Sequence, residues 1–291
     1  MHIAWIGLGI MGSPMAHNLL KANYPLTAHT LEQHKLDHLA AHGGTPAPTI
    51  AEAVRDADVI ITMLPADAEV TAVALDSEDG VFEHARPGAL FIDMSTVTPR
   101  TAVTLAREGA DRGLRVLDAP VSGGEAGAIE GTLSIMAGGE RADFEAARPL
   151  FDVLGSTAAL CGPHGAGQTV KAANQLIVAA TLQACAEAVV FLERSGVDPA
   201  VALDVLNGGL AGSAVLDRKK HAFLTRNFTP GFRIDLHHKD MGIVTAAARE
   251  AGVALPLCGL VAQLVAAVRA QGDGGLDHSA LLRGVERMSA S

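Results

Sequence analysis

Aromatic side chains are scarce, at 3% of the chain with one Trp and one Tyr. The 49% of hydrophobic residues therefore comes mainly from Ala, Val, Leu and Ile, a stock suited to helices packed around a parallel sheet rather than to a β-sandwich. Cysteine is nearly absent: Cys161, Cys185 and Cys258 are odd in number and far apart, which excludes a disulfide framework or a C-x-x-C metal or redox pair and fits a reducing cytosol. Positive charge is short too, with 22 Lys and Arg against 32 Asp and Glu, a net charge of −10. Such a chain repels nucleic-acid backbones, and the densest basic cluster, Arg218-Lys219-Lys220, is too short to reverse that. No apolar run approaches the ~18 residues of a membrane helix, and no leader pattern precedes the first strand, so a cytoplasmic protein without a membrane partner is expected.

What the chain does have is glycine in one informative place. Residues 1–6 are mostly apolar and run into Gly7-Leu8-Gly9-Ile10-Met11-Gly12, the spacing G-x-G-x-x-G, followed by a helical run. Strand, tight turn and helix in that order suit a dinucleotide: Gly7 permits the bend, Gly9 lets backbone approach a pyrophosphate, and Gly12 lets the helix pack on the strand. The first helical turn then aims free N–H groups at the anion. The second strand ends at His29, about 20 residues past the glycines, where an acidic residue commonly holds the ribose of NAD. Here stand His29-Thr30-Leu31-Glu32, with neither an acid at the tip nor an arginine clamp, so NAD and NADP both remain open, with a lean to NADH from the acidic charge.

At 291 residues the chain fits two domains. Buried-type strands at Asp58–Pro65, Ala89–Met94 and Arg115–Ala119 recur between helical runs, which predicts an α/β first domain over residues 1–162. Ligands in such sheets sit beyond the carboxyl ends of the strands, so Leu64, Pro65, Ser95 and Thr96 are cofactor-lining candidates; Ser95 or Thr96 could equally cap the helix near Pro99. Pro120-Val121-Ser122-Gly123-Gly124 offers main-chain N–H groups to an anion or is a plain turn. His34, His38 and His42, spaced four apart, read as a solvated helix face rather than a metal comb. From Gly165 strand-like runs stop, and residues 163–291 are expected to be all helical, led by a long helix from about Ala166 to Arg194 that joins the two domains. On that helix Gly167, Lys171, Asn174 and Gln175 share one surface among small apolar neighbours.

Four segments together resemble one family. Gly7 through Gly12, Asp118-Ala119-Pro120-Val121-Ser122-Gly123-Gly124, Gly167-x-x-x-Lys171-x-x-Asn174, and Phe232 through Lys239-Asp240 are similar to the signatures of the β-hydroxyacid dehydrogenases, the 3-hydroxyisobutyrate dehydrogenase family, in order and spacing. Softer segments, Gly208 through Ser213, Arg226 through Phe232 and Leu276 through Leu281, look most like its tartronate semialdehyde reductases. The resemblance implies a Rossmann-type domain followed by an all-α domain, a cleft between them, and a homodimer or homotetramer. It implies Lys171 as the catalytic residue and Ser122, Gly123, Gly124 and Asn174 as the holders of a small carboxylated aldehyde or hydroxy acid. Gly7, Leu8, Gly9, Ile10, Met11, Gly12, Leu64, Pro65, Thr96 and Lys239 would line the dinucleotide, and no metal is expected. The implied reaction is reduction of tartronate semialdehyde to glycerate by NAD(P)H. The alternatives are another substrate such as 3-hydroxyisobutyrate or succinic semialdehyde, and a nucleotide-binding module without turnover.

Overall fold

The computed structural model describes residues 1–290. Two compact units result, Met1–Lys171 and the residues from Ala172 onward.

The first unit is built on strands β1 (Ile3–Ile6), β2 (Leu26–His29), β3 (Thr45–Pro46), β4 (Val59–Thr62), β5 (Leu90–Asp93), β6 (Arg115–Asp118), β7 (Val121–Ser122), β8 (Leu133–Gly139) and β9 (Gly155–Gly162). Their order is β3-β2-β1-β4-β5-β6-β8-β7, with β9 also on β8. From β3 to β6 every pairing is parallel, while β6 and β7 pair antiparallel with β8. The reversal of order beside β1 is the switch point at which Rossmann-type sheets bind nucleotides. Helices α1 (Gly12–Lys21), α2 (Gln33–Ala41), α3 (Ile50–Val54), α4 (Asp67–Leu75), α5 (Val81–His84), α6 (Pro99–Asp111), α7 (Gly124–Glu130) and α8 (Arg141–Leu154) connect them.

The near-continuous apolar runs exist because both sheet faces are covered, and alternate residues feed different cores. Ile3, Trp5, Val59, Ile61, Leu90 and Ile92 pack with Met15 and Leu19 of α1 and Phe144 and Phe151 of α8. Ala4, Ile6, Ile60 and Phe91 pack on the opposite face with Val70 of α4, Phe82 of α5 and Leu105 of α6. Of the scarce aromatics, Trp5, Phe91 and Phe151 are fully buried here.

Helix α9 (Ala166–Arg194) then begins at the end of the first unit and continues into the second, where α10 (Pro199–Asn207), α11 (Ala214–Thr225), α12 (Ile234–Glu250), α13 (Pro256–Val268) and α14 (Leu281–Met288) follow. Among the described residues of this unit β structure is limited to an isolated bridge between Arg233 and Asp277. Its core gathers Leu182, Ala186 and Val189 of α9, Phe223 of α11, Met241 and Val244 of α12, Val261 and Val265 of α13, and Leu282 of α14.

Two expectations need correction. Helix α9 does contain an 18-residue window with a mean hydropathy of 1.8, 44% of it buried. Alanines, with Gln183 and Glu187 among them, hid it from a search for bulky apolar runs, and its inner face is the spine of the second core. Neither Ser95 nor Thr96 caps α6: the cap is Thr98, whose hydroxyl accepts from Thr101 N–H, with Pro99 in the first turn.

Candidate functional site

In the first unit the glycine loop has the shape that its spacing asks for. Gly7 sits at φ +101°, and a Cβ at Gly12 would lie 2.0 Å from the Gly7 carbonyl oxygen, so the turn and the helix packing both exclude side chains. The same oxygen accepts from the Trp5 indole at 2.9 Å, which pins the loop to β1. A Cβ at Gly9 would meet nothing within 4 Å, and no side chain caps the start of α1. Open space beside Gly9 and uncapped N–H groups at a helix start fit a bound pyrophosphate.

The other proposed parts of this unit are linked to the loop by contacts that can be followed one by one. A Cβ at Gly7 would lie 2.9 Å from Leu64 Cδ2, so Leu64 is packed on the loop. Leu64 N–H donates to Ser95 Oγ at 2.9 Å, joining the ends of β4 and β5. Gln168, 1% exposed in the first turn of α9, donates through Nε2 to the Ser95 carbonyl at 2.8 Å and accepts at Oε1 from Val97 N–H at 3.2 Å. The Thr96 segment is thus held on both sides. Asp118, at the end of β6, accepts from Gly165 N–H at 2.8 Å and Gln168 N–H at 3.0 Å, which satisfies the start of α9. Gly167 is required in this joint, because a Cβ would fall 2.2 Å from the Met136 carbonyl and 2.8 Å from Asp118 Oδ2. One turn further, Lys171 is 6% exposed.

The turn at Ser122-Gly123-Gly124 follows β7, with Gly123 at φ +147° and Gly124 at φ +63°. Gly123 opens α7 without a side-chain cap. Successive glycines with such backbone angles can present N–H groups to an anion without any cationic side chain.

Thr62, Asp93 and Asp118 are register partners at the carboxyl ends of β4, β5 and β6. Asp93 accepts from Thr62 Oγ1 at 2.8 Å and Ser95 N–H at 3.1 Å, while its Oδ2 is buried with no hydrogen-bond partner among the described residues. Burial pushes its carboxyl up to about 6, with the Asp118 charge adding to the shift. Burial raises Asp118 as well, against the two main-chain donors that favour its anion.

In the second unit a polar chain runs from Asn174 to Lys239. Asn174 Nδ2 donates to Gln175 Oε1 at 2.8 Å, Gln175 Nε2 donates to Asp240 Oδ2 at 2.6 Å, and Lys239 Nζ lies 3.1 Å from Asp240 Oδ1. Gln175 and Asp240, 5% and 2% exposed, are the links that sequence reasoning left without roles, as it did Gln168 and Asp118. A visible signal existed for Gln168, Gln175 and Asp240, each three residues from, or next to, a candidate on the same helix, whereas Asp118 ends a strand. His42 packs edge-on against His17 of α1 and tilted against His38, at 4.5 and 4.4 Å between ring centroids.

Known proteins match this arrangement along the whole chain. Residues 2–162 match the NAD binding domain of 6-phosphogluconate dehydrogenase, and residues 165–285 match the NAD-binding domain of NADP-dependent 3-hydroxyisobutyrate dehydrogenase. The chain is 40% identical to the 2-hydroxy-3-oxopropionate reductase of Escherichia coli, over 99% of this chain and 98% of that one. It is 38% identical to the NAD-dependent L-serine dehydrogenase of Pseudomonas aeruginosa, over 95% of each. Among solved structures, the 3-hydroxyisobutyrate dehydrogenase of Mycobacterium tuberculosis with L-serine superposes with a TM-score of 0.88 at 33% identity over 100% of both chains. Glycine loop, helical second unit and full-length similarity agree: the chain belongs to the β-hydroxyacid dehydrogenases of the 3-hydroxyisobutyrate dehydrogenase family, NAD(P)-dependent oxidoreductases with a Rossmann-type domain followed by a helical one.

Proposed function

We propose that this chain reduces tartronate semialdehyde (2-hydroxy-3-oxopropionate) to glycerate, with residues 1–162 holding the dinucleotide and residues 163–291 serving the substrate and the oligomer. The observation that carries the reading is a buried lysine, Lys171, one turn beyond the joint that Gln168 and Asp118 make with the ends of β5 and β6. The 40% identity to the Escherichia coli reductase over nearly the full length supports this substrate.

The bound dinucleotide supplies the hydride. What the chain must add is a proton for the oxygen that becomes an alkoxide, from a donor within about 3 Å, and positive charge while that oxygen is anionic. Lys171 supplies both as an ammonium and, as a neutral amine, takes the alcohol proton in the reverse direction. Ser122, Gly123 and Gly124 hold the substrate carboxylate through main-chain N–H groups, and Asn174, one helical turn past Lys171, orients the hydroxyl end. Gly7 to Gly12, Leu64, Pro65 and Thr96 would hold the dinucleotide, and Lys239 would add a positive charge to its binding. Without an acid or arginine at the end of β2, discrimination between NADH and NADPH is modest, with a lean to NADH.

The test is turnover of three- and four-carbon semialdehydes and L-serine with both dinucleotides, for the wild type and Lys171→Ala. Tartronate semialdehyde should give the highest kcat/KM, and Lys171→Ala should lower kcat by about 100-fold or more with dinucleotide affinity almost unchanged. Fastest turnover of L-serine, which the 38% identity to the serine dehydrogenase favours as a second reading, would replace the substrate and keep the lysine. Near-normal turnover in Lys171→Ala would remove the lysine from the mechanism.

A further inference from the structure

Two histidines of the second unit are buried against each other. His237 in the first turn of α12 is 0% exposed and His278 is 8% exposed, and their Nδ1 atoms are 3.1 Å apart. Phe232 packs edge-on against both rings, at 5.6 and 5.3 Å between centroids. The other ring nitrogen of His237, Nε2, faces the main-chain carbonyl of Gln175 on α9 at 3.4 Å.

Donor and acceptor rules fix the protons. A carbonyl oxygen only accepts, so His237 Nε2 carries a hydrogen, and a neutral His237 then has a bare Nδ1. A neutral ring is the form that complete burial favours. The facing Nδ1 of His278 must therefore donate. The charged groups around the pair divide to match. Asp277 stands next to His278, takes both Lys219 contacts at 2.9 Å from α11, and is held below the usual carboxylate range, against the opposing effect of burial, by the charges of His278 and Lys219. On the side of His237, α12 carries Lys239 and Asp240, already engaged with each other and with Gln175.

We propose that His278 and His237 share a single proton and together act as positioning residues, locking α12 to α9 so that the chain Asn174–Gln175–Asp240–Lys239 keeps its geometry. The pair reaches α9 at Gln175, the residue whose side chain forms the middle of that chain. This rests on the proposed roles of Asn174 and Lys239 in turnover; the protonation pattern itself does not.

Three measurements decide it. Nitrogen-15 spectra of the imidazoles in the intact enzyme should show His278 Nδ1 protonated and His237 Nδ1 bare. His278→Phe removes the His278 donor from this contact and should lower kcat at least tenfold, with substrate KM changed less than threefold. His278→Asn, whose amide can donate from nearly the same place, should restore most of the loss; a role in stability alone would not separate kcat from KM in this way. Both Nδ1 atoms protonated or both bare would overturn the shared proton. Turnover within twofold of wild type in His278→Phe, with Lys171→Ala inactive, would overturn the positioning role. Failure of the proposed reaction would show separately, as turnover of another substrate faster than tartronate semialdehyde or as full turnover in Lys171→Ala, and the spectra would still decide the protonation.

Discussion

At the residue scale, Asp93 carries a charge in a place built to resist it. Its carboxyl has a usual value of 3.8 and is pushed up to about 6 in the fold, so the folded state binds its proton more tightly than the unfolded one. The favourable contribution is full below 3.8, fades as the pH rises through the window to about 6, and is absent above it. The difference is worth roughly 3 kcal/mol. Asp93→Asn keeps an acceptor for Thr62 and Ser95 and removes the buried charge. It should therefore raise Tm at pH 8 relative to wild type, with the gain shrinking or reversing at pH 4, in thermal melts at both values; equal effects at both would show that ionisation is irrelevant there. Glycines give the second prediction. Gly123 sits at φ +147° with Leu133 Cδ2 2.9 Å from where a Cβ would stand, so Gly123→Val strains the turn and fills its approach. Substrate KM should rise at least tenfold while dinucleotide affinity holds, and equal kcat/KM for glyceraldehyde and tartronate semialdehyde in the wild type would sink the carboxylate site.

At the element scale the start of α9 decides where Lys171 stands. Asp118→Ala would leave two buried N–H groups, those of Gly165 and Gln168, without acceptors, a cost of about 2 kcal/mol or more, read as a fall of several degrees in Tm. Gln168→Leu should instead spare the helix start and loosen the Thr96 segment, lowering kcat more than Tm. If neither variant changes kcat, the joint does not position Lys171. Much of this was legible beforehand. The glycine spacing located the loop, apolar runs located the parallel strands, and α9 was placed from Ala166 to Arg194, where the structure has it. What stayed hidden were the links. Gln168 and Gln175 look like ordinary helix residues, because their partners, Ser95, Val97 and Asp240, are 65 to 73 positions away in sequence. The cap at Thr98 was missed for a local reason: two earlier hydroxyls, Ser95 and Thr96, competed for it, and Ser95 is taken by Leu64 N–H.

At the scale of the whole molecule, the second unit exposes apolar side chains that a soluble helix bundle would ordinarily cover. Ile177 and Phe191 on α9 are 65% and 70% exposed, and Val201 and Val205 on α10 are 64% and 73% exposed. A second copy of the chain is the cover that the family resemblance implies. Phe191→Asp should shift light-scattering mass toward the monomer, and a wild-type chain that is already monomeric at micromolar concentration would rule the pairing out. The boundary between the two compact units has a different consequence. It falls between Lys171 and Ala172, inside a 29-residue helix and near its start. There is thus no extended linker for a protease to enter, and the amides on both sides should exchange slowly and together. Swapping halves between relatives would also mean splicing through a continuous helix a few residues from Lys171, so the nucleotide-binding half and the helical half are expected to be inherited, and engineered, as one piece.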